Sequence, residues 1–354
     1  VREHRSDAIG SIVSSTSRRA VVLRCVMRLR SVLLSSVVSV ACSTSEADPE
    51  SAGGTTGGDA PTTESSEGGP TTVASSNADD TSTTGPTTSD PTTDSTGDSS
   101  TGEEVGTPGC RAPEPLAEGE HGFTLDGLER RYIVRLPQSY SPDRTWPLIF
   151  ALHGNGGNPN YWDQTGGDRD IRTAFADEAI LIIPEAINNA WRDYDADPST
   201  WPAGMELELD FFDTVYETAR NELCIDTDNV FSMGFSGGGS FSGVLGCRRD
   251  YIRAIAVGGS VIYFNHEDCT EKPAAWITIG DGELNGGRIA FRDFFVQNAG
   301  CDETSTPGEP QGCVDYDACD AGSPVTYCSH PAGHVWPSIG TEATRAFFRS
   351  FYAR

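Results

Sequence analysis

Between residues 43 and 109 the chain has no lysine, no arginine and no aromatic side chain. The span is almost entirely Ser, Thr, Gly, Pro, Asp and Glu. With so little apolar surface to bury, nothing offsets the entropy of ordering, so the segment reads as a disordered linker. Its thirteen acidic residues, with no basic ones, make it a self-repelling spacer rather than a binding site. Other absences narrow the function. There is no CxxC pair and no Cys/His cluster at zinc spacing, so no metal is expected. Asp315, Asp317 and Asp320 miss the spacing of an EF-hand loop. No G-x-G-x-x-G opens a helix, so no nucleotide is expected, and no cofactor is called for. Basic charge is scarce: 25 Lys and Arg stand against 52 Asp and Glu, for a net charge of -27. That balance excludes nucleic acid and an anionic membrane surface as partners.

A long apolar run is missing too. The run Ser31–Ala41 falls well short of the roughly twenty residues a membrane-spanning helix needs. It suits an export signal over residues 1–42: Met27 as a start, Arg28 and Arg30 before the apolar run, and small residues Ser39 and Ala41 at its end. Cys42, directly after Ala41, offers a lipidation site of the bacterial lipoprotein type, with simple secretion as the alternative. Both place the protein outside the cytoplasm, free or on the outer cell surface, with Cys42 as its sole route to a membrane. Eight cysteines follow residue 109, an even number that reads as a disulfide framework, with Cys224–Cys247 the pairing expected first.

Residues 110–354 have the size of one α/β domain. Short apolar runs at 132–136, 148–152, 180–183, 230–233, 254–257, 276–279 and 325–327 read as strands, several continuous enough to be buried on both faces. Helical spacing runs through Leu209–Leu223, past 237, around Asp293–Val296 and over Glu342–Phe351. Strands alternating with helices predict a mostly parallel sheet with helices on both faces.

The chemistry concentrates at Gly234-Phe235-Ser236-Gly237-Gly238, a G-x-S-x-G sequence between a strand and a helix. That context puts a serine on a cramped turn as a nucleophile, with the Gly237 N–H aimed at a developing oxyanion. A second oxyanion donor is expected from His153-Gly154-Asn155-Gly156-Gly157, near Asn155 or Gly156; His153 itself reads as a packing residue. Only His266, His330 and His334 follow Ser236. His334, in Gly333-His334-Val335-Trp336-Pro337 after the last strand, is the expected base. The acid should follow the 276–279 strand, where Asp281 and Glu283 both qualify. The choice stays open, with Glu283 favoured.

These segments together resemble the polyhydroxybutyrate depolymerase and feruloyl esterase family of α/β-hydrolases, over nearly all of residues 115–354. The Gly-His-x-Trp-Pro element at 333–337 is the most specific part. The resemblance implies an α/β-hydrolase fold and a serine carboxylic ester hydrolase, with the family's serine and histidine falling on Ser236 and His334. The family's His-Gly-x-x-Asp run reads Ile279-Gly280-Asp281-Gly282-Glu283 here, with both the leading His and the Asp changed. The resemblance implies an ester substrate: feruloyl or acetyl esters on plant polysaccharide first, a polyhydroxybutyrate-type polyester second. Trp162, Trp191, Trp201 and Trp336 could line an aromatic or sugar-binding surface or belong to the core. A monomer is expected. A surface-binding hydrolase homologue without turnover is the reading from another class.

Overall fold

The computed structural model describes residues 106–352 and, nearer the amino terminus, the backbone of 9–12, 23–32 and 35–43. The expected linker therefore lies largely outside the described residues, as does the side chain of Cys42. In the amino-terminal unit β1 (Ile9–Ile12), β2 (Leu23–Val32) and β3 (Ser35–Ser43) form an antiparallel sheet in that order. Among the described residues no helix is long and apolar enough to cross a membrane.

The second unit is built on ten strands: β4 (Gly119–Leu125), β5 (Leu128–Arg135), β6 (Trp146–Leu152), β7 (Ile180–Pro184), β8 (Ile225–Phe235), β9 (Ala254–Gly258), β10 (Ala274–Gly280), β11 (Ser305–Gly308), β12 (Cys313–Tyr316) and β13 (Val325–His330). Their order is β11-β12-β13-β10-β9-β8-β6-β7-β5-β4. The six from β13 to β7 are parallel, and an antiparallel pair closes each edge. The parallel strands are apolar on both faces because both are covered. Thus Leu148, Phe150 and Leu152 of β6 enter one core, while Ile149 and Ala151 enter the other.

Helix α1 is the short turn Ile171–Ala174. The long helix α2 (Trp201–Glu222) has Pro202 in its first turn, where the missing N–H costs nothing. It buries Leu209, Phe211, Phe212, Val215 and Ala219 against the sheet. Helix α3 (Gly237–Arg248) is buried along nearly its whole length. It lies so close to the sheet that a side chain on Gly238 would overlap the Leu152 and His153 carbonyls. Helices α4 (Gly286–Asn298) and α5 (Gly340–Tyr352) complete the layers.

The packed region starts a few residues before the boundary that composition suggests. Thr107 donates its hydroxyl to Leu223 O at 2.9 Å, and Gly109 fits against the Leu223 backbone. Among the described residues four disulfides join Cys110–Cys224, Cys247–Cys269, Cys301–Cys319 and Cys313–Cys328. The expected Cys224–Cys247 pairing is thereby overturned. Cys224 directly precedes β8 and meets the turn at Cys110. Cys247 lies in the last turn of α3, where its carbonyl accepts from the N–H groups of Thr270 and Glu271, next to Cys269. Cys110–Cys224 closes the longest loop, a separation of 114 residues. Replacing both by Ser is expected to cost about 2–5 kcal/mol, read as a fall in the denaturant midpoint.

Candidate active site

The loops that follow β6, β8, β10 and β13 meet at the carboxyl ends of the parallel strands, where open α/β sheets bind ligands. Ser236 sits between β8 and α3 with φ 57° and ψ -122°, a conformation that side-chain-bearing residues rarely adopt. The surroundings hold it there. Its N–H donates to Gly258 O at 2.8 Å, and its carbonyl accepts from Ser240 N–H. A side chain on Gly234 would run into the backbone of Gly238 and Gly239, so this turn closes only with glycine at that place.

Three side chains line up across the strand ends. Ser236 Oγ is 2.8 Å from His334 Nε2. His334 Nδ1 meets Glu283 Oε2. The Glu283 side chain is 7% exposed and that of His334 40%, so the carboxylate is sheltered while the imidazole faces the opening. The His334 ring rests on Phe235, with centroids 4.6 Å apart. The 280–283 and 332–333 loops touch backbone to backbone, with Gly282 N–H donating to Ala332 O at 3.1 Å. An imidazole between a hydroxyl and a carboxylate can take the hydroxyl proton while the carboxylate fixes its tautomer.

Asp281 does not join this chain: its side chain is exposed, and Glu283 alone of the two turns back under His334. His330, at the end of β13, is buried below Gly280. Burial lowers its pKa, against the pull of Glu283 and Asp281. Burial likewise lowers the pKa of His153, whose Nε2 accepts from Ala186 N–H at 3.2 Å as a packing residue.

Next to Ser236, Gly237 opens α3, so its N–H has no partner within the helix. Asn155 packs directly on it, leaving no room for a side chain at 237. The Asn155 side chain is anchored on all sides. Its Oδ1 accepts from Trp191 N–H at 3.0 Å, and its Nδ2 donates to Arg192 O at 2.9 Å and Tyr263 OH at 3.2 Å. The Asn155 backbone N–H is thus presented beside Gly237. Gly156 is different: at φ +77° it turns its N–H to Asn189 O at 2.7 Å and is no longer available as a donor.

The tryptophans divide. Trp162, Trp191 and Trp336 are 0%, 3% and 4% exposed and belong to the core, which corrects their placement on a substrate surface. Trp162 and Trp191 donate their indole N–H to Leu152 O and His153 O, bracing the start of the 153–157 loop from behind. Trp201 alone is partly exposed. It meets the exposed Tyr194 edge to face, centroids 5.7 Å apart, and Arg192 lies over both Trp201 and Tyr263. Tyr194 OH donates to Tyr263 OH at 3.1 Å, so this aromatic group connects through Tyr263 to Asn155. Burial, and after it the hydrogen bond with Tyr194, push the Tyr263 phenol well above its ordinary range.

Pattern reading missed Gly259, Tyr263 and Arg288. Gly259 has φ +60°, and a side chain there would come within 2.7 Å of His334 Cε1 and Nδ1. The Gly258-Gly259 pair directly after an apolar strand was the available signal. Among the described residues no group of three His, Cys, Asp or Glu is placed to hold a metal ion.

A mostly parallel sheet covered on both faces, with a serine on a strained turn after its central strand, defines an α/β-hydrolase. No model of a known protein family matches the chain. Relatives do. Feruloyl esterase D of Neurospora crassa is 30% identical over 247 residues, covering 64% of this chain and 81% of its own. Feruloyl esterase C of Emericella nidulans is 29% identical over 264 residues, covering 68% and 90%. Among solved structures, the acetyl xylan esterase of Aspergillus awamori shares the fold with a TM-score of 0.51 at 12% identity, over 65% of this chain and 98% of that one. The chain belongs to the feruloyl esterase family, and so to the carboxylic ester hydrolases.

Proposed function

We propose that this protein is an exported serine esterase that cleaves feruloyl- or acetyl-type esters on plant polysaccharide through an acyl-enzyme. The observation that carries the reading is the continuous hydrogen-bonded chain from Ser236 through His334 to Glu283. His334 Nε2 takes the Ser236 proton as Oγ attacks the ester carbonyl. Glu283 accepts from Nδ1–H and stabilises the imidazolium. The oxyanion rests on the N–H groups of Gly237 and Asn155. The imidazolium then protonates the leaving alkoxide, and the alcohol departs. Water, deprotonated by His334, releases the acid from the acyl-enzyme.

Tyr194 and Trp201 are the aromatic faces open to a substrate on the oxyanion side. The four disulfides suit an oxidising compartment outside the cytoplasm. The names of the relatives favour the feruloyl ester. A panel of methyl ferulate, acetylated xylan and polyhydroxybutyrate tests the proposal: kcat/KM is expected to be highest for methyl ferulate. Turnover of the polyester alone would overturn the substrate. No turnover of any ester, with no labelling by an organophosphonate, would overturn the enzyme and leave a binding protein.

A further inference from the structure

Glu283 is held by more than His334. Its Oε1 faces Gly280 N–H at 3.4 Å. Its Oε2, which meets His334, also lies 2.6 Å from Arg288 Nε. That N–H is not aligned on the oxygen, so the contact is an ion pair rather than a directed hydrogen bond. The pair is largely sheltered, with side chains 17% and 7% exposed, where charges are poorly screened. Arg288 belongs to the first turn of α4, and Asn285 locks that turn to the acid. Asn285 Oδ1 accepts from the N–H groups of Gly287 and Arg288 at 3.1 and 3.3 Å, while its Nδ2 donates to Glu283 O at 3.0 Å.

Arg288 Nη2 also comes within 3.1 Å of His334 Nδ1. A guanidinium can only donate. Were it to serve Nδ1, the ring proton would sit on Nε2, facing Ser236, and the imidazole could not accept the serine proton. With Glu283 accepting from Nδ1–H, the Nε2 lone pair faces Ser236 instead. Arg288 thus aids the reaction only by holding the carboxylate. A glutamate has one more rotatable bond than an aspartate, and the guanidinium removes that freedom.

We infer that Arg288 is a positioning residue, clamping the Glu283 carboxylate where Oε2 accepts the His334 Nδ1–H. The inference rests on Ser236, His334 and Glu283 acting as proposed above, and no proton passes to or from Arg288.

The test uses the full-length enzyme, with Arg288→Gln and Arg288→Lys compared on a p-nitrophenyl ester. Proton NMR follows the downfield resonance of His334 Nδ1–H. Arg288→Gln is expected to lower kcat about 10- to 100-fold with KM within about twofold, since the loss falls on geometry rather than binding. The downfield resonance should shift upfield or broaden away. Arg288→Lys should recover part of both, keeping the charge without the planar fork. Wild-type kcat in Arg288→Gln overturns the inference. So does a kcat loss with an unchanged Nδ1–H resonance, which would mean only a disturbed helix start. Should Arg288→Gln fail to fold, Arg288→Lys decides: a several-fold lower kcat with a weakened resonance supports the clamp, and wild-type values overturn it. Ser236→Ala, run in parallel, separates the two claims. If it keeps turnover, the catalytic reading fails; if it is inactive while Arg288→Gln keeps wild-type kcat, only the clamp fails.

Discussion

Ser236→Ala is expected to lower kcat on a p-nitrophenyl ester by about 10⁵- to 10⁶-fold, with KM changed little. Size follows from geometry. Oγ is the hydroxyl aligned on His334 Nε2, at 2.8 Å. The nearby serine hydroxyls are engaged elsewhere: Ser240 Oγ accepts from Val261 N–H, and Ser260 Oγ donates to Gly258 O. Neither of these serines is placed to inherit the attack. Some acceleration over water should survive, because the Gly237 and Asn155 N–H groups remain in place. His334→Ala should cost nearly as much, and the double variant hardly more than either alone, since the two groups act as one device. Stopped-flow kinetics with burst titration measure all three. A Ser236→Ala enzyme within tenfold of wild type would remove Ser236 from the mechanism.

Much of this frame was legible in the chain, and the reason is burial on two faces. Leu148–Leu152, Ile180–Ile183 and Ala254–Val257 read as strands because parallel strands must be apolar throughout. Strand β4 was not legible. Its residues, Gly119–Leu125, alternate between exposed and half-buried, and its pairing partner β5 supplies what its composition does not. The β11–β12 hairpin contains Pro307 and stands at the opposite edge, where proline is tolerated. In the site, Ser236 and His334 were marked by local motifs, with glycines where the backbone needs them. Partners fixed by tertiary contact left no such mark. Gly156 and Asn155 are adjacent glycine-loop residues, and what separates them is a hydrogen bond to Asn189. Trp201 and Trp162 are the same residue type, and their depth depends on neighbours far along the chain. Arg288 resembles any arginine on a helix until α4 brings it to Glu283.

The fold also sets the direction in which the site faces. Thr107 and Cys110 are fastened at Leu223 and Cys224, where β8 begins. Ser236 stands at the other end of that strand; the stretch of β6 paired with it, Trp146–Leu152, spans roughly 20 Å at ~3.3 Å per residue. The chain therefore enters the domain at the end of β8 away from Ser236.

Glu283→Gln should lower kcat by about 10⁴-fold, while Asp281→Asn leaves it within twofold. The contrast tests the one triad member on which the motif and the fold had to be weighed. Glutamine keeps the length and shape of Glu283 but loses its charge, and it offers either an oxygen or an NH₂ to Nδ1. If the NH₂ faces the ring, Nδ1 must accept, the proton moves to Nε2, and Ser236 meets a donor instead of a base. If the oxygen faces the ring, the tautomer survives but the imidazolium loses its counter-charge. Arg288 worsens both cases: with the carboxylate gone, its guanidinium sits 3.1 Å from His334 Nδ1 as an unbalanced cation beside a ring that must become positive. Glu283→Gln should therefore lose more activity than the tautomer argument alone implies, and Glu283→Gln/Arg288→Gln should recover part of it. Asp281, exposed and turned away from the imidazole, enters none of these interactions. Equal losses for the two single variants, or a double variant worse than Glu283→Gln, would contradict the arrangement.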